Sequence, residues 1–320
     1  MVSYLRTNTG QLLFGPYGAD ALEHAGILAE FGANAVWFHG FNEKAFATCD
    51  QHHIAACVEF KTFRADFNRH PELIPIGTDG KPIRFGKLVQ GVCLSNQSFL
   101  DEIEYNLVEG LKQFQPRGIW LDYLTYAGWF ETPDPDLQDS CFCQACVTEF
   151  CETQKLDTDA PSVILQKHAA LWRRHKCEKI ARFAARYAEL IRSCQPDCLI
   201  GVYLCPWAPH EYDGAITRIF GQDVNLLADA IDVFTPLIYT AKSGRAPDWG
   251  KEYLEKTADW MPAGKKIQLI LDALDFPDSL ITAAASRIPS WGIQIFSGGS
   301  IFADRSMAEK FRQAVAQIRH

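Results

Sequence analysis

A single TIM-like (β/α)8 barrel, with a cysteine-rich loop after its fourth strand, is the α/β fold this sequence predicts, and three observations predict it. About eight short apolar runs are spread along the 320 residues, and stretches with helical spacing separate nearly all of them. Alternation of that kind implies a parallel sheet. The turns after Arg6 and His39 carry no G-x-G-x-x-G, the phosphate turn an open, doubly wound sheet would place after an early strand. The length suits a barrel, which runs longer as one unit than most folds, so residues 1–320 are read as one catalytic domain.

The first strand is placed at Val2 to Arg6, a short apolar stretch. Gly18 to Phe31 spaces its apolar residues as a helix does, with Asp20 near the start and Gly32 as the stop. Ala33 to His39 reads as a buried strand, Lys44 to His53 as a helix, and Ile54 to Phe60 as the next strand. Residues 61 to 87 make a long polar loop with Pro71, Pro75 and Pro82, and a loop that long in a compact domain is usually functional. A short extended piece at Val89 to Leu94 leads to a helix at Gln97 to Phe114, whose Phe99, Ile103, Leu107 and Leu111 fall four apart. Ile119-Trp120-Leu121 is the core of the fourth strand, which delivers Asp122 to its end and then breaks into a Pro/Asp-rich loop closing on three cysteines.

The second half repeats the unit. An amphipathic helix runs from Ser162 to Cys194, and its cluster Arg173-Arg174-His175-Lys176 reads as a solvated face. Leu199 to Leu204 is a strand stopped by Cys205-Pro206-Trp207. A helix at Val224 to Ala230 precedes the strand Val233 to Tyr239, and a helix near Lys251 to Trp260 precedes the strand Ile267 to Leu271, which ends on Asp272. Helix Ile281 to Ile288, strand Gly292 to Phe296 and helix Ala308 to Ile318 close the chain.

Composition narrows the function. The net charge of -8 argues against nucleic acid, whose phosphates need a basic face. No run approaches the ~18 apolar residues of a membrane span, and the start has no basic segment followed by an apolar core. Eleven cysteines, an odd number set mostly in apolar or helical runs, read as reduced thiols and a cytoplasmic protein. No motif for an organic cofactor is present, and neither H-x-H at a strand end nor H-E-x-x-H occurs, so a metal-dependent barrel hydrolase lacks its ligands.

In a barrel the strand ends collect on one face. Here they are His39, Glu59, Asp122, Tyr203, Tyr239, Asp272 and Ser297-Gly298. Two carboxylates across a cleft are the minimum for cleaving a glycosidic bond, one protonating the leaving oxygen while the other attacks or activates water. Asp122 and Asp272 are the natural pair, with Glu59 next; an Asp after a strand also caps helices and forms turns, and a salt bridge to a loop Lys or Arg is the plainer role for Glu59. Trp129, Trp207 and Trp249 lie in loops, where indole faces suit the apolar faces of sugar rings. With His39, Tyr203, Tyr239 and Glu211 they form the expected substrate-binding set, for a small carbohydrate. Glu211 and Asp213 also offer a loop acid that could reach the cleft.

Cys141, Cys143 and Cys146 are spaced C-x-C-x2-C, close enough to ligate one tetrahedral ion, and soft thiolates favour zinc. The fourth donor is Cys93 from upstream or Cys151 just downstream. With CFCQAC and VCLSNQSFLDE, the chain resembles the family 42 β-galactosidases and barrel glycosyl hydrolases related to them. That resemblance implies structural zinc on Cys93, Cys141, Cys143 and Cys146, with Asp122 as acid/base and Asp272 as nucleophile. The family has Glu at both strand ends, preceded by Asn at the fourth, whereas this chain has Leu121-Asp122. An Asp sets its carboxylate back by about one methylene, enough to disturb catalysis, so the roles can be permuted, with Asp122 as nucleophile and the acid drawn from Glu59, Glu211 or Asp213. The competing reading is a carbohydrate-binding barrel or pseudoenzyme in which the aromatics bind and the acids do no chemistry.

Overall fold

The structure is a computed structural model that describes residues 11–83, 91–158 and 160–319. Eight parallel strands close a ring among the described residues: β1 Leu13–Tyr17, β2 Ala35–His39, β3 Ala55–Lys61, β4 Gly118–Asp122, β5 Leu199–Leu204, β6 Val233–Ile238, β7 in two pieces (Lys266–Ile267 and Leu269–Asp272) and β8 Gly292–Phe296. Each strand pairs with its neighbours in chain order, and β8 returns to β1 with Leu13 opposite Gly292 and Tyr17 opposite Phe296. The predicted barrel is therefore the fold.

The first described strand is one that sequence patterning missed. Val2 to Arg6 lies outside the described residues, and β1 has the sequence LFGPY, in which Gly15 and Pro16 mask a strand. Gly15 is required there, since a Cβ would stand 1.8 Å from the Ala35 carbonyl oxygen on β2. The helix expected from Gly18 to Phe31 is a 3-10 turn, Ala19–His24, followed by one α-turn, Ala25–Leu28. The long helix breaks at His168 into Pro161–Lys167 and Ala169–Cys194. The cysteine loop contains an unexpected helix, Gln144–Gln154. The extended piece expected at Val89 to Leu94 falls partly outside the described residues.

Side chains alternate in and out along each strand. Outward residues such as Val36, Val58, Ile119, Leu121 and Ile200 pack under the helices in the main core. Inward residues Leu13, Ala35, Trp37, Cys57, Trp120 and Val233 fill the barrel axis, and Trp37 meets Trp120 edge to face at 5.4 Å. Trp120 needs two glycines beside it. A Cβ at Gly201 would lie 2.5 Å from the indole and one at Gly118 2.6 Å from it, while Trp120 Nε1 donates to Thr235 Oγ1 at 2.8 Å. The lower axis is thus packed solid, and open space is left to the C-terminal end.

Candidate active site

Inward parity carries Tyr17, His39, Glu59, Asp122 and Asp272 to the C-terminal ends of their strands. A cavity of about 380 Å³ opens there, walled by Tyr17, Trp129, Phe130, Tyr203, Tyr239 and Phe296, with Glu59, Lys61, Arg64, Asp122 and Glu131 as its charged groups. A shallower concavity of about 420 Å³ lies at the other end of the strands, around Leu12, Asn34 and Arg319, and among the described residues no carboxylate lines it.

Glu59 is 2 % exposed and is the most heavily bonded of these acids. Tyr17 Oη donates to its Oε2 at 2.6 Å, His39 Nδ1 lies 3.2 Å from the same oxygen, and Lys61 Nζ is 3.7 Å from Oε1. Burial pushes its carboxyl up, but hydrogen bonds from His39, Asp122 and Tyr17 together with the Lys61 charge hold it down at about 2. Asp122, hydrogen-bonded to Glu59, goes the other way: burial first, then the Glu59 charge, raise it well above the usual carboxylate range. Tyr123 turns the chain directly after the strand with φ +55° and gives its backbone N–H to Asp122 Oδ1 at 2.9 Å. The two carboxyls therefore titrate as a pair, in which burial and the Glu59 charge favour the neutral form of Asp122.

Asp272 is placed differently. Its Oδ1 accepts Leu274 N at 3.0 Å, forming the turn after β7, and its Oδ2 lies 2.7 Å from Lys242 Nζ. It does not line the cavity. The same ammonium is 3.9 Å from Glu131 Oε2 and sits over the rings of Tyr239 and Phe296, 4.6 and 4.8 Å from their centroids. Burial raises the Glu131 carboxyl to about 7, with Lys242 pulling it down and Asp272 pushing it up.

Of the residues expected to bind substrate, Trp129, Tyr203 and Tyr239 line the cavity. His39 has a 59% exposed side chain and reaches the site only through Glu59. Trp207 is buried against Tyr212, Phe130 and Phe220, and Trp249 packs under Arg245. Glu211 is consumed by Ala208 N and Arg245, and Asp213 pairs with Arg218 at the surface. None of these last four lines the cavity. Sequence reasoning did not find Tyr17, Glu131, Lys242 or Phe296. Phe296 ends a predicted strand with inward parity and was findable by that rule; Tyr17 ends the strand that Gly15 and Pro16 mask, and Glu131 and Lys242 sit in loops without periodicity.

Beside the site, Cys93, Cys141, Cys143 and Cys146 bring their sulfurs within 4.8 Å of one another. Cys93 Sγ is 3.5 Å from Cys143 Sγ and 3.7 Å from Cys146 Sγ. A tetrahedral zinc with bonds of about 2.3 Å has sulfur edges of about 3.8 Å, so this thiol group can hold a metal ion. Cys93 is the fourth thiol of this group, whereas Cys151 donates to Thr158 O. Hydrogen bonds from neighbouring thiols, first Cys141, hold the Cys143 thiol well below its usual range.

No family model and no curated protein sequence matches this chain. Solved structures match it in fold. The glycoside hydrolase domain of PgaB (BpsB) from Bordetella bronchiseptica has TM-score 0.73 and 12% identity, covering 95% of this chain and 99% of that one. The β-galactosidase from Rahnella sp. R3 has TM-score 0.71 and 14% identity over 98% of this chain and 57% of its own. The β-galactosidase from Halorubrum lacusprofundi has TM-score 0.65 and 10% identity, over 96% and 58%. This chain spans a little over half the length of those two β-galactosidases. At such identities the likeness shows the barrel fold. No helix among the described residues is long and apolar enough to cross a membrane.

Proposed function

We propose that this barrel hydrolyses O-glycosidic bonds in a small oligosaccharide or glycoside, with Asp122 as the proton donor. The reading is carried by one observation: Asp122, beside a buried Glu59 already engaged by Tyr17, His39 and Lys61, opens into an aromatic-walled cavity at the C-terminal end of the barrel, where burial and the Glu59 charge raise its carboxyl. Sugar C–H faces pack on Trp129, Tyr239 and Phe296. As the bond from the anomeric carbon to the leaving oxygen breaks, its electron pair goes to oxygen, which takes the Asp122 proton. Two adjacent carboxylates repel, so Asp122 regains a proton quickly and the site is reset. Glu59 is a positioning residue here, because hydrogen-bonded carboxyls lie closer than the ~5–5.5 Å that brackets a sugar ring even in retaining enzymes. The second carboxylate then comes from the opposite wall, around Lys242, where Asp272 and Glu131 meet.

The glycoside hydrolases among the fold neighbours support this class, and the cysteine loop supports kinship with the family 42 enzymes. Zinc on Cys93, Cys141, Cys143 and Cys146 would be structural: four protein donors leave no open position for substrate. The many cysteines in this chain, set mostly in apolar or helical runs, support a reducing, cytoplasmic setting. The ion pair that engages Asp272 favours one rival, a carbohydrate-binding barrel without turnover. A panel of chromogenic glycosides decides between them. Turnover by the wild type that falls about 10²–10⁴-fold in Asp122→Asn supports hydrolysis; sugar binding without turnover in either form supports the rival.

A further inference from the structure

We propose that Glu131 is the second catalytic carboxyl, the base that takes the proton of the attacking water, and that Asp272 is a positioning residue acting on it through Lys242. This rests on the glycosidase reading. Glu131 and Asp122 face one cavity, whereas Asp272 does not line it. The two oxygens of Asp272 are occupied, by the Leu274 backbone N–H and by Lys242 at 2.7 Å, and its side chain is 4% exposed. Lys242 is thereby pinned over Tyr239 and Phe296, and its remaining reach is toward Glu131 at 3.9 Å. The arrangement divides labour: Asp272 fixes the ammonium, and the ammonium offsets part of the rise that burial imposes on the Glu131 carboxyl.

The groups facing Glu131 are Lys242, Asp272 and the raised phenol of Tyr239. With its carboxyl near 7, Glu131 is partly ionised at neutral pH, which suits a base, while burial and the Glu59 charge favour the protonated form of Asp122, which suits the acid. In the step itself, water oxygen bonds to the anomeric carbon and its proton passes to Glu131. The electron pair of the broken C–O bond stays on the leaving oxygen, which receives the Asp122 proton. Glu131 then loses a proton to solvent and Asp122 gains one, so the cycle balances without any co-reactant.

The test uses the whole chain with carbon-13 in its glutamate carboxyls, Glu131→Gln identifying the resonance. The Glu131 midpoint should rise in Lys242→Met, which removes an attracting charge, and fall in Asp272→Asn, which removes a repelling one and keeps the oxygen that Leu274 N–H needs. On the best glycoside the acid limb of the rate profile should move the same two ways. Glu131→Gln should lower kcat about 10²–10⁴-fold with KM little changed. A turnover that survives Glu131→Gln but is abolished by Asp272→Asn would make Asp272 the chemical group and overturn the proposal. So would an active enzyme whose limb does not move. A wild type inactive on every glycoside overturns the glycosidase reading and this assignment together.

Discussion

At Asp122 two effects act in the same direction, and a single substitution separates them. Burial is the larger cause of its raised carboxyl and the Glu59 charge the second. Glu59→Gln removes the charge and leaves the burial, so Asp122 should stay raised but less so. A proton donor works below its own pKa. The alkaline limb of the rate profile should therefore move to lower pH, and an unmoved limb would mean Glu59 does not govern the donor. Tyr17→Phe tests the next link outward: without the phenol's hydrogen bond at 2.6 Å, Glu59 becomes more basic and competes for the shared proton. The expected result is a lower kcat with KM little changed, since the phenol acts through Glu59 rather than on substrate.

At the level of elements, the loop after β4 is held from both ends. Its cysteines meet Cys93, Ile76 N donates to Cys141 Sγ at 3.3 Å, and Asp139 pairs with Lys176, which is wholly buried in the helix Ala169–Cys194. A bound metal adds folding free energy to that loop. Purified protein should carry close to one zinc per chain by elemental analysis, and stripping it, or replacing Cys146 with Ser, should lower the melting temperature and slow turnover by loosening Trp129 and Glu131. A metal-free chain with unchanged melting would reduce the cluster to four packed thiols. The cysteine spacing was legible because three of the four donors lie within six residues, and Cys93 was one of two candidates. The helix Gln144–Gln154 was not, since a metal motif hides helical periodicity under its own spacing. Lys176 was read as part of a solvated face because a buried lysine looks like any other until its partner, 37 residues upstream, is known.

For the whole molecule, seven of the eight strands were readable because their apolar runs alternate with helical patterns, and much of the site because parity sends every second residue to the same axis. What the chain could not reveal was how loops fill the mouth: Trp207 and Trp249 were expected on substrate and instead pack beneath loops, while Glu131, with no periodic signal, reaches the cavity wall and Lys242 sits over the rings of Tyr239 and Phe296. The packed lower axis makes a separate prediction. Gly201 on β5 faces the rigid indole of Trp120, and a methyl there would lie 2.5 Å from ring atoms that cannot swing away, because Trp37 and Thr235 hold them. Overpacking of that kind costs about 1–3 kcal/mol. Gly201→Ala should lower the unfolding free energy by that amount, read as a lower urea midpoint with an unchanged slope, since the surface exposed on unfolding is the same. Trp120 is two residues below Asp122 on one strand, so the displaced indole should also lower kcat. Adding Trp120→Phe to Gly201→Ala frees space at the clash and should recover part of the stability. If the double variant is as unstable as the sum of the two singles, the axis is not the close-packed support on which the acids stand.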